Sequence, residues 1–206
     1  MNNDRRKINI WFPSLIFENI LDNFKDHANH LLSKAYDIKN RKSKPATVWS
    51  CDTYNTLFQY DAFSNADPII QSLIQTSKEQ VLYFSKEYGM TKTIDDIECI
   101  DFWFNIAEPG AYQEYHLHPK SHFSVVYYIK TQEKCGNIVF QPADALTDMF
   151  PLDINQPTYA SYKNCFYTPT DAMLLIFRST LLHMVEKNLS EEDRVSIAMN
   201  FKFKEN

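Results

Sequence analysis

The chain has 206 residues, 44% of them hydrophobic and 15% aromatic, with 23% charged and only three glycines, enough apolar mass for one domain with a sizeable core. Gly89, Gly110 and Gly136 lie too far apart to write G-x-G-x-x-G or G-x-x-x-x-G-K-[ST], which excludes dinucleotide- and phosphate-cradling loops of those types. Twenty-one Lys and Arg against 26 Asp and Glu leave a net charge of −5, which argues against nucleic acid as the partner.

No apolar run is long enough to cross a bilayer and none follows Met1–Lys7, so neither a membrane span nor a signal peptide is expected. Cys51, Cys99, Cys135 and Cys165 form no C-x-x-C pair; reduced thiols in a cytoplasmic protein are the expectation.

In chain order, Ile20, Leu21, Phe24, Ala28, Leu31, Leu32 and Ala35 recur at spacings of three and four, which predicts a helix of roughly twenty residues with one apolar face. His27 and His30 sit three apart on it and offer a second metal pair, against which stands an ordinary solvated helix face. Asn40–Pro45 reads as a solvated loop. Asp67 is a natural N-cap before Pro68, with Ile70, Leu73, Ile74, Val81, Phe84 and Tyr88 as the stripe of a second helix and Gly89 as its left-handed close.

From Asp95 onwards the pattern changes to short β-branched and aromatic runs. Eight strands are expected, at 97–106, 111–118, 122–130, 137–141, 159–167, 172–177, 182–186 and 194–202. Residues 1–94 then form a mainly helical support and 95–206 a β-sandwich or barrel, together one mainly β domain with helices, of the α+β kind. The connection 142–158, with Pro142, Pro151 and Pro157, is longer than usual and is expected to cover a site.

His116 and His118 lie two apart in an extended segment, so both imidazoles project from one face. Two half-buried polar residues are the plain alternative to a metal pair. His183, which opens a later strand after Met173–Phe177, offers a third imidazole; three would suit iron, zinc, copper or nickel and leave positions open for substrate. In Arg194–Phe201, strict alternation sets Val195, Ile197, Met199 and Phe201 on a packed face. Arg194, Ser196, Ala198 and Asn200 take the other, fit for a cavity under a guanidinium that could hold a carboxylate bidentately. The alternative for Arg194 is a surface pair with Glu192 or Asp193. His122 shares parity with His118 and is a candidate hydrogen-bonding neighbour of the metal ligands. Trp49, Phe102, Trp103 and Phe104 read as core, a substrate platform being the alternative, and Lys120, Lys130 and Lys134 as solvated, contact with an acidic substrate being the alternative.

The order Trp103-Phe-Asn105, Gly110, Gln113, His116-Leu-His118-Pro119, Ser121, Ser124-Val-Val-Tyr-Tyr128, Gly136-Asn-Ile-Val-Phe140, Pro169-Thr-Asp171, Phe177, Leu182-His183, Val185-Glu-Lys-Asn188, Arg194-Val-Ser196 and Asn200-Phe201 resembles the 2-oxoglutarate and Fe(II)-dependent oxygenases, in a small bacterial and phage branch. The resemblance spans about 101–203. It implies a double-stranded β-helix, a jelly-roll or cupin-like barrel with two supporting N-terminal helices. It also implies Fe(II) held by His116, His118 and His183, and 2-oxoglutarate held by Arg194 with help from Ser196. Asn105, Tyr112 and Tyr128 are placed around that co-substrate, structural partners for the tyrosine hydroxyls being the alternative.

The implied reaction consumes 2-oxoglutarate and dioxygen, releases succinate and carbon dioxide, and hydroxylates a small molecule or a peptidyl side chain. The chain departs from the wider pattern at His118, where a carboxylate is usual, and at Val125 and Thr170, where glycine is. Glu114, on the histidine face, is the alternative carboxylate ligand. A cupin that uses three histidines without 2-oxoglutarate, and a barrel that binds without turnover, are the competing readings. Oligomeric state is open, a homodimer included.

Overall fold

The computed structural model describes residues 7–41, 53–57, 61–62, 67–142 and 153–204. Strand β1 (Ile16–Ile20) leads through a 3-10 turn at Asp22–His27 into helix α1 (Ala28–Arg41), and β2 (Tyr54–Asn55) precedes helix α2 (Pro68–Ser85). Then come β3 (Ile97–Ala107), β4 (Gln113–His116), β5 (Phe123–Lys130), β6 (Ile138–Gln141), β7 (Cys165–Tyr167), β8 (Met173–Arg178), β9 (Leu182–Val185) and β10 (Arg194–Phe203). They form a six-stranded sheet in the order β1-β8-β5-β10-β3-β2 and a four-stranded sheet in the order β4-β9-β6-β7, with every pair antiparallel. The chain passes between the two sheets in the sequence of a double-stranded β-helix, and the eight strands expected after residue 95 are its eight strands.

β10 lies at the middle of the larger sheet, paired with β3 on one side and β5 on the other. Period-2 alternation sends its side chains to two different layers. Val195, Ile197, Met199 and Phe201, all fully buried, join a core with Leu31 and Ala35 of α1 and Ile70, Leu73 and Val81 of α2. β5 is divided in the same way: Phe123, Val125, Tyr127 and Ile129 meet the helices, while Val126 and Tyr128 join Ile138, Phe140, Leu175 and Phe177 between the sheets. The helices therefore back the sheet and leave its inner face to the smaller sheet opposite.

The second helix follows its sequence signals. The Asp67 carboxylate accepts hydrogen bonds from the N–H groups of Ile69 and Ile70, Pro68 opens the first turn, and Gly89 closes the following 3-10 turn at φ 72°. The first helix does not follow its signals. Ile20 ends a strand, and the apolar stripe from Leu21 to Ala35 is divided between a 3-10 turn and a helix that continues to Arg41. Ile16–Ile20 alternates as a strand does and pairs with Met173–Phe177, so an available sheet edge outweighs the helical spacing that begins at Ile20. With β2, this makes the first ninety residues part of the larger sheet as well as its support. Strand β7 is shorter than the expected 159–167, because Thr158–Ser161 is a turn. Residues 42–45 of the predicted first loop, 143–152 of the long connection, Trp49 and Cys51 lie outside the described residues. Cys99, Cys135 and Cys165 are free thiols. No helix of the described residues is long and apolar enough to cross a membrane.

Asp67 also joins the two helices, since His30 Nε2 lies 2.9 Å and Lys34 Nζ 3.2 Å from its carboxylate. Partial burial works against its charge, but hydrogen bonds from His30, the Ile70 N–H and Lys34 hold its pKa below the usual value. Asp67→Ala should lower unfolding free energy at neutral pH by about 1–2 kcal/mol. The deficit should shrink as pH falls through the carboxylate range, because a depressed pKa stabilises only the ionised form; urea denaturation at pH 7 and pH 3 measures both.

Candidate metal and co-substrate site

The antiparallel register of β4 and β9 sets His116 directly across from His183, and their ring centroids are 4.2 Å apart. His118 lies two residues past the end of β4, where its N–H donates to the Ser179 carbonyl at 2.8 Å. That bond keeps the chain extended beyond the strand, so the ring returns to the same side, 5.3 Å from His116 and 5.0 Å from His183. Ligand atoms of the three side chains lie within 4.8 Å of one another, the one such group among the described residues.

Each ring has an assigned orientation. His116 Nδ1 is 2.7 Å from the Glu114 carbonyl and His183 Nδ1 2.9 Å from that of Leu181. A carbonyl only accepts, so both Nδ1 atoms carry the proton and each Nε2 carries the lone pair with which an imidazole binds a metal. Burial lowers the pKa of all three: for His118 to about 4, with the neighbouring His116 adding to the effect, and for His183 well below the ordinary value for the same reasons. Neutral imidazole is the form that binds a transition metal. The residues present fit a divalent metal ion with three nitrogen ligands.

Three polar side chains stand in a row across the larger sheet, because Ser196 pairs with Asn105 of β3 and with Tyr128 of β5. Arg194, two residues before Ser196 and on the same face, is 4% exposed. Its Nη1 donates to the carbonyls of Cys135 at 2.7 Å and Gly136 at 3.3 Å. No carboxylate among the described residues pairs with it: Glu192 is engaged by Lys130 and Asp193 by the Tyr36 hydroxyl. The Tyr128 hydroxyl is buried with no hydrogen-bond partner. Burial pushes its pKa up, only partly opposed by the Arg194 charge, so it stays a donor. Arg194, Ser196, Asn105 and Tyr128 line one cavity with the three histidines, of about 490 Å³. A buried cation and a buried hydroxyl that lack anionic partners define a place for an acceptor-rich anion.

Gly136 is fixed by two constraints. Its φ is 88°, and a Cβ there would lie 2.3 Å from the Glu186 carbonyl oxygen, so only glycine can place its own carbonyl where Arg194 uses it. Asn188 secures the approach to β10 by donating to the carbonyls of Ala107 and Glu192. At the position expected to lack a glycine, Thr170 is not strained, since the left-handed residue in that turn is Ala172 at φ 65°. Val125 faces the helices.

Several predicted residues fall elsewhere. Tyr112 is not part of the cavity lining, whereas its neighbour Gln113 is. His122 accepts from the Phe203 N–H through Nδ1 and belongs to the far end of β10. His30 serves the helix cap and His27 packs on Phe24, so they form no metal pair. The Glu114 carboxylate does not join the converging ligand atoms. Trp103 is buried as expected yet lines the cavity, 5.5 Å from the His118 ring, with its indole N–H on Asn105. Lys120 also lines it. The sequence placed Asn200 on the cavity face without a role and left Asp101 and Ser124 unassigned; Asn200 and Ser124 meet His118 directly, and Asp101 reaches it through Asn200. Parity with Arg194 was the available signal for Asn200; the others needed the strand register.

Residues 101–200, the segment that carries the site, match the family model described as "Putative 2OG-Fe(II) oxygenase". No curated protein matches the chain. Among solved structures, a prolyl-4-hydroxylase from Pseudomonas putida superposes with a TM-score of 0.65 at 15% identity, covering 93% of this chain and 94% of its own. A viral collagen prolyl hydroxylase from Paramecium bursaria Chlorella virus-1, as its 2-oxoglutarate complex, gives 0.57 at 15% identity over 89% of this chain and 94% of its own. HygX from Streptomyces hygroscopicus, with nickel and 2-oxoglutarate bound, gives 0.59 at 10% identity over 93% and 84%. At these identities the likeness to the solved structures is one of fold.

Two outcomes follow from the geometry. Unfolding frees the imidazoles, so between pH 6.5 and about 4 the unfolded chain takes up protons that the folded site refuses. The metal-free protein should therefore lose stability on acidification across that window, by up to about 1.4 kcal/mol per pH unit for each histidine, and His118→Gln should reduce the slope. A urea midpoint independent of pH there would contradict the burial of the cluster. Gly136→Ala should destabilise the fold by at least about 2 kcal/mol, read as a lowered Tm, and should weaken carboxylate binding through the displaced Arg194 contacts.

Proposed function

We propose that the chain, whose residues 101–200 match a family model of 2-oxoglutarate and Fe(II)-dependent oxygenases, hydroxylates an unactivated C–H bond of a small molecule or peptidyl side chain. For each substrate oxidised, one 2-oxoglutarate and one dioxygen are consumed. One oxygen atom goes into the new hydroxyl and the other into succinate, with carbon dioxide released. His116, His118 and His183 would hold the metal through Nε2, and iron, when bound, supplies the redox chemistry that activates dioxygen.

The observation that carries this reading is Arg194: a buried guanidinium whose partners among the described residues are carbonyls, facing the same cavity as three neutral imidazoles. A dicarboxylate would supply the charge that the pocket lacks. Arg194 would hold its far carboxylate, with the Tyr128 and Ser196 hydroxyls beside it and Asn105 in the same row. These groups are fixed before the ligand arrives, Arg194 by the Cys135 and Gly136 carbonyls and Asn105 by the Trp103 indole, so binding needs little reorganisation. The apolar wall of Val126, Ile138, Phe177 and Val185 keeps the neighbourhood poor in water, which strengthens each of these contacts. The cavity exceeds what a five-carbon diacid fills and extends past Trp103 to Asn55, Leu57 and Ile100, where the substrate would lie. Its partners on this reading are dioxygen and a small molecule or peptide. Nucleic acid and membrane take no part, and the setting is the cytoplasm. A cupin-type activity would use the three histidines equally well but leaves the buried Arg194 without a task.

Anaerobic addition of Fe(II) and 2-oxoglutarate to the metal-free protein should give a weak visible absorption. Arg194→Ala should weaken 2-oxoglutarate binding on the order of 100-fold, and His183→Ala should abolish metal binding. Under air, succinate should accumulate. Stoichiometric iron binding with no 2-oxoglutarate dependence, and no effect of Arg194→Ala, would favour the cupin alternative. A visible band without succinate would indicate a binding module.

A further inference from the structure

The three histidines are not oriented alike. His116 and His183 rest on backbone carbonyls two residues before them, Glu114 in β4 and Leu181 just ahead of β9. His118 instead is held by side chains from two strands of the larger sheet, β10 and β5. Its Nδ1 lies 2.7 Å from Asn200 Oδ1 and 2.8 Å from Ser124 Oγ. Ser124 Oγ is also 2.9 Å from Asn200 Oδ1 and 2.9 Å from Ser179 Oγ. Asn200 Nδ2 in turn donates to Asp101 Oδ2 at 2.8 Å. The strand register makes this arrangement, since Asn200 of β10 faces Asp101 of β3 and Ser124 of β5 in the same ladder position. Ser124 and Ser179 are fully buried and Asn200 is 6% exposed.

The direction of the chain follows from donor and acceptor rules. An ionised carboxylate only accepts, so the end of the Asn200 amide turned to Asp101 must be its NH₂. Its oxygen therefore points at His118 Nδ1, which must carry the proton. The lone pair is left on Nε2, on the side where His116 and His183 converge. Reversing the amide would set its oxygen against the Asp101 carboxylate, an unfavourable contact in a dry site whichever tautomer His118 takes.

We propose that Asp101 is a positioning residue for the third ligand, fixing the Nδ1–H tautomer of His118 through Asn200 and supplying, one residue removed, the negative charge that a histidine in a carboxylate slot does not bring. The inference rests on the assignment of His118 as a metal ligand. It goes beyond that assignment in naming what makes an imidazole serviceable there. Asp101 also lines the cavity, so its charge reaches the centre without contact with a metal.

The test reads the tautomer directly. In metal-free protein with ¹⁵N-labelled histidine, long-range ¹H–¹⁵N correlations at pH 7.5 should show His118 protonated at Nδ1. In Asp101→Asn, which keeps the shape and loses the charge, the Asn200 amide is no longer held one way. His118 should then become a tautomer mixture, and Co(II) affinity should fall 10- to 100-fold. Asn200→Ala should give the same result by removing the bridge, while His116 and His183 keep their tautomers in both variants. A wild-type His118 protonated at Nε2 would overturn the proposal without any variant. So would an Asp101→Asn protein with unchanged His118 signals and Co(II) affinity. Failure of wild-type protein to bind Co(II), with the tautomer as expected, would instead count against the metal reading on which the inference stands.

Discussion

The alternation of β10 is the constraint on which the site depends. One strand in the middle of the larger sheet must present Val195, Ile197, Met199 and Phe201 to two helices and Arg194, Ser196, Ala198 and Asn200 to a cavity. A slip of one residue would put a guanidinium into the helix-facing core and four large apolar groups into the cavity, so the register is strongly specified. Because β3 and β5 are both read against this strand, their polar residues fall into rows. Asn105 and Tyr128 flank Ser196, and Asp101 and Ser124 flank Asn200. The first row faces a candidate anion site and the second orients a candidate metal ligand. The smaller sheet contributes its own cross-strand pair, His116 with His183.

Charge balance joins the parts. Three neutral imidazoles, a buried guanidinium and an un-ionised tyrosine make a cavity with one buried positive charge, at Arg194, and room for a dication between the histidines, while the exposed Lys120 lines it as well. The carboxylate of Asp101 is the nearby negative group that the cavity itself supplies, and it is already engaged by Asn200. Such a site is electrostatically incomplete until an anion enters. It should therefore bind a metal and a dianion as mutually supporting ligands, each reducing the desolvation that opposes the other. The departure at His118 falls within the same account, since a third imidazole removes a negative charge from the metal and leaves the site more dependent on its anionic partner.

Much of this was legible in the sequence wherever one strand or one helix carried the whole signal. Asp67 and Pro68 open α2 as expected, Gly89 closes the 3-10 turn that follows it, and the two faces of β10 could be read from alternation alone. What failed depended on pairing between distant segments. Ile16–Ile20 continues into a helical stripe in sequence but meets the edge of β8 in space. Tyr112 stands one residue outside the cavity because parity at the start of β4 was uncertain without its partner strand. Trp103 reads as core by composition, and its burial agrees, yet β3 faces it toward His118 across from Ala198. Asp101 and Ser124 acquire their place only through the ladder, which no single segment encodes. His122 has the parity of His118, but the chain turns between them and carries it to Phe203.

In the candidate metal site three imidazole nitrogens converge with no protein carboxylate among them. Anomalous diffraction at the cobalt edge from crystals loaded with Co(II) without oxygen addresses this most directly. The expected result is a single strong peak bonded to Nε2 of His116, His118 and His183, with its remaining positions open toward Arg194. A metal bonded to Glu114 or Asp101, or one that leaves His118 unligated, would contradict it.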